Sequence, residues 1–167
     1  MAFLSCGSNR GDRKNYVDTM VSSLAEVLVP PVRKSLIMET EPIGVPGVQK
    51  WYINVIIGGT YTGSARELLV KSREIEVDLG RISKGDRMPR TADIDILLFG
   101  NQIINDDDLV VPHPEIAGRR FCIEGLNQIA SDMIIPGLNT TVHELYEHMN
   151  ERIRKQNIRF FNEDILN

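Results

Sequence analysis

The sequence predicts an α+β fold, a mainly antiparallel sheet with helices packed on one of its faces. Three observations lead there. Apolar runs and helical stripes follow one another in the order strand, helix, strand, strand, helix, strand. No helical stretch separates the second and third strands, as a doubly wound parallel sheet would require. The length, 167 residues, suits one domain that buries a substantial core.

Residues 2–6 form a short apolar strand that ends at Gly7. Gly7-Ser8-Asn9-Arg10-Gly11-Asp12 is rich in turn residues and reads as a tight strand-to-helix turn, with close approach to a phosphate as its functional alternative. Asp12 suits the cap of the next helix, where Tyr16, Met20, Leu24, Val27 and Leu28 recur at helical spacing. Pro30-Pro31 is expected to stop it. Residues 32–40 read as the second strand. Glu41-Pro42-Ile43-Gly44-Val45-Pro46-Gly47 cannot be helical.

Residues 51–61 give the third strand, with Tyr52, Asn54, Ile56 and Gly58 on one face. Asn54 interrupts the apolar pattern. Its amide offers donor and acceptor together, to a neighbouring backbone or to the edge of a heterocycle. Ser64-Ala65-Arg66-Glu67 is a capping box that opens the second helix; Leu68, Leu69, Ile75 and Leu79 supply its buried side and Gly80 ends it. Glu76 falls late in that helix, where a glutamate is ordinarily solvated.

Residues 91–99 read as the fourth strand. Gly100-Asn101 is expected to make a hairpin turn into residues 102–105. Asp106-Asp107-Asp108 reads as a solvated turn rather than a metal cluster. In Val110-Val111-Pro112-His113-Pro114 a histidine held between prolines has few conformations. Residues 115–130 become helical in their later part. Ile134-Ile135-Pro136-Gly137 is a short strand and turn. Thr141-Val142-His143-Glu144 is a second capping box, followed by a helix through Met149. The tail, residues 150–167, is charged, with Phe160, Phe161, Ile165 and Leu166 late. Residues 1–150 are expected to form the catalytic domain and 151–167 a tail that is no separate domain.

A net charge of −4 argues against a general nucleic-acid binder, so an anionic substrate must be drawn by a local cationic cluster. No stretch approaches a membrane-spanning length. Cys6 and Cys122 show neither disulfide nor zinc spacing, which fits two reduced thiols in a cytoplasmic protein.

The chemistry is expected in residues 81–99. Alternation puts Ala92, Ile94, Ile96 and Leu98 on one face of the strand, and Thr91, Asp93, Asp95, Leu97 and Phe99 on the other. Asp93 and Asp95 then stand side by side, roughly 6–7 Å apart. Two like charges on a half-buried strand need a positive partner. A divalent ion is one candidate, since Mg²⁺ takes one or two carboxylates and leaves its other positions to water and phosphates. The arginines upstream are the other. Arg81, Lys84, Arg87 and Arg90 lie in a loop with Gly85 and Pro89, able to fold over a polyphosphate. Carboxylates for metal beside cations for phosphate suggest metal-assisted phosphoryl transfer.

Arg90-Thr91-Ala92-Asp93-Ile94-Asp95-Ile96-Leu97-Leu98-Phe99-Gly100 resembles the signature of the 6-hydroxymethyl-7,8-dihydropterin pyrophosphokinases of folate biosynthesis. Gly7-Ser8-Asn9 after an apolar run, and Val111-Pro112-His113-Pro114 followed by Arg119 and Phe121, extend the likeness over residues 3 to about 130. The resemblance implies a ferredoxin-like arrangement. It implies ATP as co-substrate, the hydroxymethyldihydropterin as acceptor, and two Mg²⁺ ions held by Asp93 and Asp95. It implies catalytic positions at Arg81, Arg90, Asp93 and Asp95. Nucleotide-binding positions follow at Glu76, Arg81, Lys84, Arg90, Ile96, His113 and Arg119, and pterin-binding ones at Thr40, Pro42, Ile43, Tyr52, Asn54 and Phe121. A monomer is expected, with a dimer through the tail as the alternative.

The chain departs from the family pattern in places. Arg87 and Met88 stand where a tryptophan and a glycine usually precede Pro89-Arg90, in a loop one residue shorter, and Ser83 replaces a second loop arginine. Arg73 replaces an amide, and Asp108 and Val110 lie where a basic or hydroxyl residue is common. These departures motivate the alternative of a non-catalytic nucleotide- or pterin-binding relative. A ferredoxin-like nucleic-acid or protein interaction module would need a basic sheet with exposed aromatics, and aromatic content is 6%.

Overall fold

β1 (Ala2–Ser8) is the strand around which the sheet is built, and all seven of its residues are buried. In the computed structural model, which describes residues 1–81 and 88–161, it pairs antiparallel with both of its neighbours. Asp12 caps α1 (Arg13–Val27) by accepting from the Asn15 amide at 3.2 Å. Val17, Met20 and Leu24 are the buried stripe of that helix.

The expected second strand is two strands, β2 (Val29–Lys34) and β3 (Met38–Thr40), both paired with β4 (Tyr52–Thr60). The helix stops at Val27, just ahead of Pro30 and Pro31 as expected. They lie inside β2, at an edge, where the register shifts between Val29 and Arg33 and no ladder donor is needed. Between the two strands Ser35 keeps the chain on the sheet. Its amide donates to Ile56 O (2.8 Å) and its Oγ accepts from Ile56 N (2.9 Å).

The Ser64–Glu67 capping box opens α2 (Ala65–Asp78), and Gly80 follows it at φ 81. β5 (Asp93–Phe99) completes the far edge, giving the order β10-β3-β4-β1-β5, with β10 (Ile158–Phe160) contributed by the tail. Helices cover both faces, not one. α1 and α2 pack on Ala2, Leu4, Cys6, Ile53, Val55, Ile57, Ile94 and Ile96. On the other face α3 (Arg120–Ala130) packs Cys122, Leu126 and Ile129 against Phe3, Met38, Ile56, Leu97 and Leu98. Gly125 allows that close approach, since a Cβ there would lie 2.2 Å from Ile56 Cγ1.

Strict alternation along β5 also fails. Phe3 faces Leu98 and Leu4 faces Ile96, so one extra residue is accommodated between them. Leu98 therefore joins Leu97 in the α3-side core, while Phe99 joins the core under α1 and α2. The expected hairpin after Gly100 is not formed with β5. β6 (Ile104–Asn105) pairs instead with β7 (Val110–Val111) as a separate ribbon. The acidic run is not simply solvated: Asp106 and Asp108 pair with Arg66 on α2, and Asp108 also with Arg73. β8 (Ile134–Ile135) and β9 (Thr140–Thr141) form a small hairpin leading into α4 (Val142–Glu147), which ends before Met149. α5 (Glu151–Arg154) then leads the chain to β10. Among the described residues no helix is long and apolar enough to cross a membrane.

Candidate functional site

The register aligns polar side chains into a row on the α3-side face. Gly7 on β1 lies opposite both Asn54 on β4 and Asp93 on β5, and Asn54 in turn faces Met38 on β3. Next to it, Ser5 faces Asp95 and Tyr52 faces Thr40. Asn54 and Asp93 are therefore two strand spacings apart, about 10 Å. Gly7 forms the floor between them; a Cβ there would come within 2.5 Å of Asn54 Oδ1. α3 leaves this end of the sheet uncovered, and a cleft of about 920 Å³ opens above it.

Ser5, Thr40, Ile43, Tyr52, Asn54, Arg90, Asp93, Asp95, His113, Arg119 and Phe121 all line the cleft. Asp93 and Asp95 thus share one face and open to one cavity, as alternation requires. Asp93 Oδ1 accepts from Arg81 Nη1 at 2.5 Å and Oδ2 from Arg90 Nη1 at 3.1 Å. Two guanidinium groups compensate the adjacent carboxylates without closing them off from the cleft. Beneath them lies Glu76, at 2% exposure far from the solvated glutamate its helix position suggests. Its Oε1 accepts from Arg81 Nη1 and from Ile94 N, each at 2.6 Å. It is a buried carboxylate joining α2 to β5.

Asn54 Nδ2 donates to Thr40 Oγ1 at 2.8 Å, which fixes the amide plane. Burial pushes the Tyr52 phenol up, against the pull of neighbouring Arg90. Burial works against the charged form of Arg90, but Asp93, Tyr52 and Asp95 together hold it above its ordinary value. Among the described residues the buried Arg90 Nε has no hydrogen-bond partner. His113 N donates to Leu97 O at 2.9 Å, tying the histidine to β5. Its Nδ1 accepts from Glu115 N at 3.2 Å, which puts the proton of the neutral ring on Nε2. Burial, then Asp95, push the Cys122 thiol up, so this lining cysteine stays protonated and is no nucleophile.

Some expected positions lie elsewhere. Arg81 and Glu76 sit behind Asp93 rather than on the cleft wall, and Ile96 is in the core beneath α1 and α2. Pro42 is beside the lining residues Glu41 and Ile43 without lining the cleft itself. Lys84, with Ser83 and Arg87, lies outside the described residues. Sequence reasoning missed Ser5, Glu41 and a group from the tail that includes Arg152, Gln156 and Asn157. Ser5 was available from the strand period; the tail residues carry no local signal.

Comparison with known proteins places the chain among the ATP-dependent pyrophosphokinases. More narrowly, the chain belongs to the 7,8-dihydro-6-hydroxymethylpterin-pyrophosphokinase family, whose model matches residues 3–131. It transfers pyrophosphate from ATP to the hydroxymethyl group of 6-hydroxymethyl-7,8-dihydropterin, giving AMP and the pterin pyrophosphate in folate biosynthesis. The 2-amino-4-hydroxy-6-hydroxymethyldihydropteridine pyrophosphokinase of Bacillus subtilis is 36% identical over 134 residues, 80% of each chain. That of Haemophilus influenzae is 31% identical over 136 residues, 81% of this chain and 84% of the relative. The Folic acid synthesis protein fol1 of Pneumocystis carinii is 27% identical over 145 residues, 87% of this chain but 20% of that protein. A solved HPPK-DHPS chain of Plasmodium falciparum, a triple mutant, superposes with a TM-score of 0.70 at 14% identity. The superposition covers 92% of this chain and 44% of that one, and it shows the shared fold. None of these comparisons favours the non-catalytic alternative.

Proposed function

We propose that the cleft holds ATP and the pterin with the residues named above in distinct roles. Thr40, Tyr52, Asn54 and Phe121, with the backbone at Pro42 and Ile43, take the pterin. The fixed Asn54 amide suits the donor–acceptor edge of the ring, and Phe121 offers it an aromatic face. Arg90, His113 and Arg119 take the triphosphate, with Lys84 added from the loop. Arg81 and Glu76 act on the nucleotide through Asp93, and Ile96 through the strand that carries the aspartates.

The donor set fits a divalent cation. Two carboxylates share one face of one strand at the cleft, and cations beside them are ready to exchange onto phosphate. Asp93 and Asp95 would hold two Mg²⁺ ions, which supply charge neutralisation of the triphosphate and acidify the acceptor hydroxyl. The chain's own residues align the pterin hydroxymethyl oxygen with the β-phosphorus. They spread positive charge along the phosphates and exclude water. The bond from the β-phosphorus to the bridging oxygen of AMP breaks as the new phosphorus–oxygen bond forms. The hydroxyl proton passes to solvent or phosphate.

The shared orientation of Asp93 and Asp95 into the cleft carries this reading. A cytoplasmic site of action goes with it, supported by two buried thiols that form no disulfide. A monomer is supported by β10, which pairs with the chain's own β3. Residues 1–150 then carry the proposed catalytic groups, and the tail that follows joins the same unit through β10 and the cleft wall rather than standing as a domain of its own. Purified protein with ATP, Mg²⁺ and the hydroxymethyldihydropterin is expected to release AMP rather than ADP, and excess EDTA to stop it. Turnover that persists in EDTA would refute the metal role.

A further inference from the structure

The family match ends at residue 131, yet one wall of the cleft is built well beyond it. Gln156 and Asn157 are neighbours in sequence, and each grips a different side of the cleft. Gln156 Oε1 accepts from Arg120 N at 2.9 Å, and its Nε2 donates to Gly118 O at 2.8 Å. α3 has no side-chain cap of its own, so Gln156 satisfies one of the orphan amides of its first turn. That bond fixes the segment carrying Arg119 and Phe121.

Asn157 grips the opposite side. Its amide donates to Glu41 Oε1 at 2.9 Å and its Nδ2 to Glu41 Oε2 at 2.8 Å; Glu41 N donates back to Asn157 O at 3.3 Å. Glu41 directly follows Thr40, the partner of Asn54. β10 continues the attachment, with Ile158 opposite Thr40. Arg119 Nη1 donates to Ile43 O at 3.3 Å and closes the ring. Loop 41–47 carries Gly44 and Gly47 at positive φ and exposes Val48 beyond it, and Asn157 and Arg119 hold it through Glu41 and Ile43 O.

We propose that Asn157, with Gln156, is a positioning residue for the pterin. The two residues bracket the slot and set its width, so that the ring enters a site already ordered. This rests on the assignment of the Thr40–Asn54–Phe121 end of the cleft to the pterin. Losing the Asn157 side of the bracket leaves loop 41–47 to be ordered at binding, which weakens pterin affinity and, with Gln156 still holding the Arg119 segment, spares the nucleotide.

The test measures, on the full chain, Kd for 6-hydroxymethylpterin by its fluorescence and Kd for a non-hydrolysable ATP analogue. Asn157→Ala is expected to weaken pterin binding about tenfold, the loss of the Nδ2 hydrogen bond to a charged acceptor, with nucleotide affinity within about twofold. Glu41→Ala severs that bond and also the one from the Asn157 backbone amide, so it is expected to weaken pterin binding at least as much, the double variant being no worse than Glu41→Ala alone. Glu41→Gln retains binding, because a turned Asn157 amide still pairs with it. Arg159→Ala is the control: Arg159 lies on the same strand but covers the Trp51 ring at 4.5 Å, and pterin affinity is expected unchanged. An unaltered pterin Kd in both alanine variants overturns the proposal. So does an equal loss in Arg159→Ala, which would mean general loosening of the tail. Failure of the unmutated protein to bind the pterin would instead overturn the assignment of the slot.

Discussion

Replacing Glu76 by alanine is expected to be among the costliest single changes in the chain outside the apolar core. The side chain is 3% exposed and its partner Arg81 4%. One oxygen accepts from Arg81 and from the Ile94 amide, so truncation removes a counter-charge and an acceptor at once. Breaking a buried ion pair costs about 3–5 kcal/mol because the remaining charge is left under-compensated. Asp93 still faces Arg81, which moderates the loss, while the abandoned Ile94 amide adds to it. A net loss of about 4 kcal/mol corresponds to a fall in Tm of roughly 8–16 °C for a chain of this length. Glu76→Gln keeps an acceptor for Ile94 and loses only the charge, and is expected to fall between. Equilibrium urea unfolding measures both. A loss under about 1 kcal/mol for Glu76→Ala would refute the network as the support of the aspartate strand.

Gly7→Ala pushes a methyl group into Asn54 Oδ1 and should detach Asn54 from Thr40. Steady-state kinetics are expected to show a pterin KM about tenfold higher with the ATP KM nearly unchanged, and equal rises in both would contradict the floor role. Glu67 and Glu144 are held below their ordinary value of 4.5 by the Ser64 and Thr141 amides they accept from. A depressed folded pKa stabilises above 4.5 and loses that contribution as pH falls through the lower folded value. Glu67→Gln with Glu144→Gln should therefore narrow the difference in Tm between about pH 5 and about pH 3, and an unchanged difference would argue against this linkage.

The sheet, its antiparallel sense and the two capping boxes were legible because each is a local pattern: a period, a cap, a missing crossover helix. Asp93 and Asp95 on one face followed from the strand period alone. The bulge that turns Leu98 away from Ile96 was not legible, since it is set by pairing with β1 rather than by β5 itself. Nor was the burial of Glu76, which depends on how α2 docks against the amide of Ile94. Placing α3 on the opposite face needed knowledge of which side of the sheet remained bare. The Glu41–Asn157 contact joins residues 116 apart, with no spacing rule to suggest it. The side chains of the cleft were thus readable where one strand carries them, and hidden where the tail closes over them.

The most direct measurement is the rate of AMP formation by Asp95→Asn at saturating MgATP and pterin, with Tm recorded alongside. The account predicts a fall of about a thousandfold or more, the scale of lost charge stabilisation at a transferring phosphoryl group, in a protein that melts no earlier than the parent. A rate within about tenfold of the parent, with the same Mg²⁺ dependence, would contradict it.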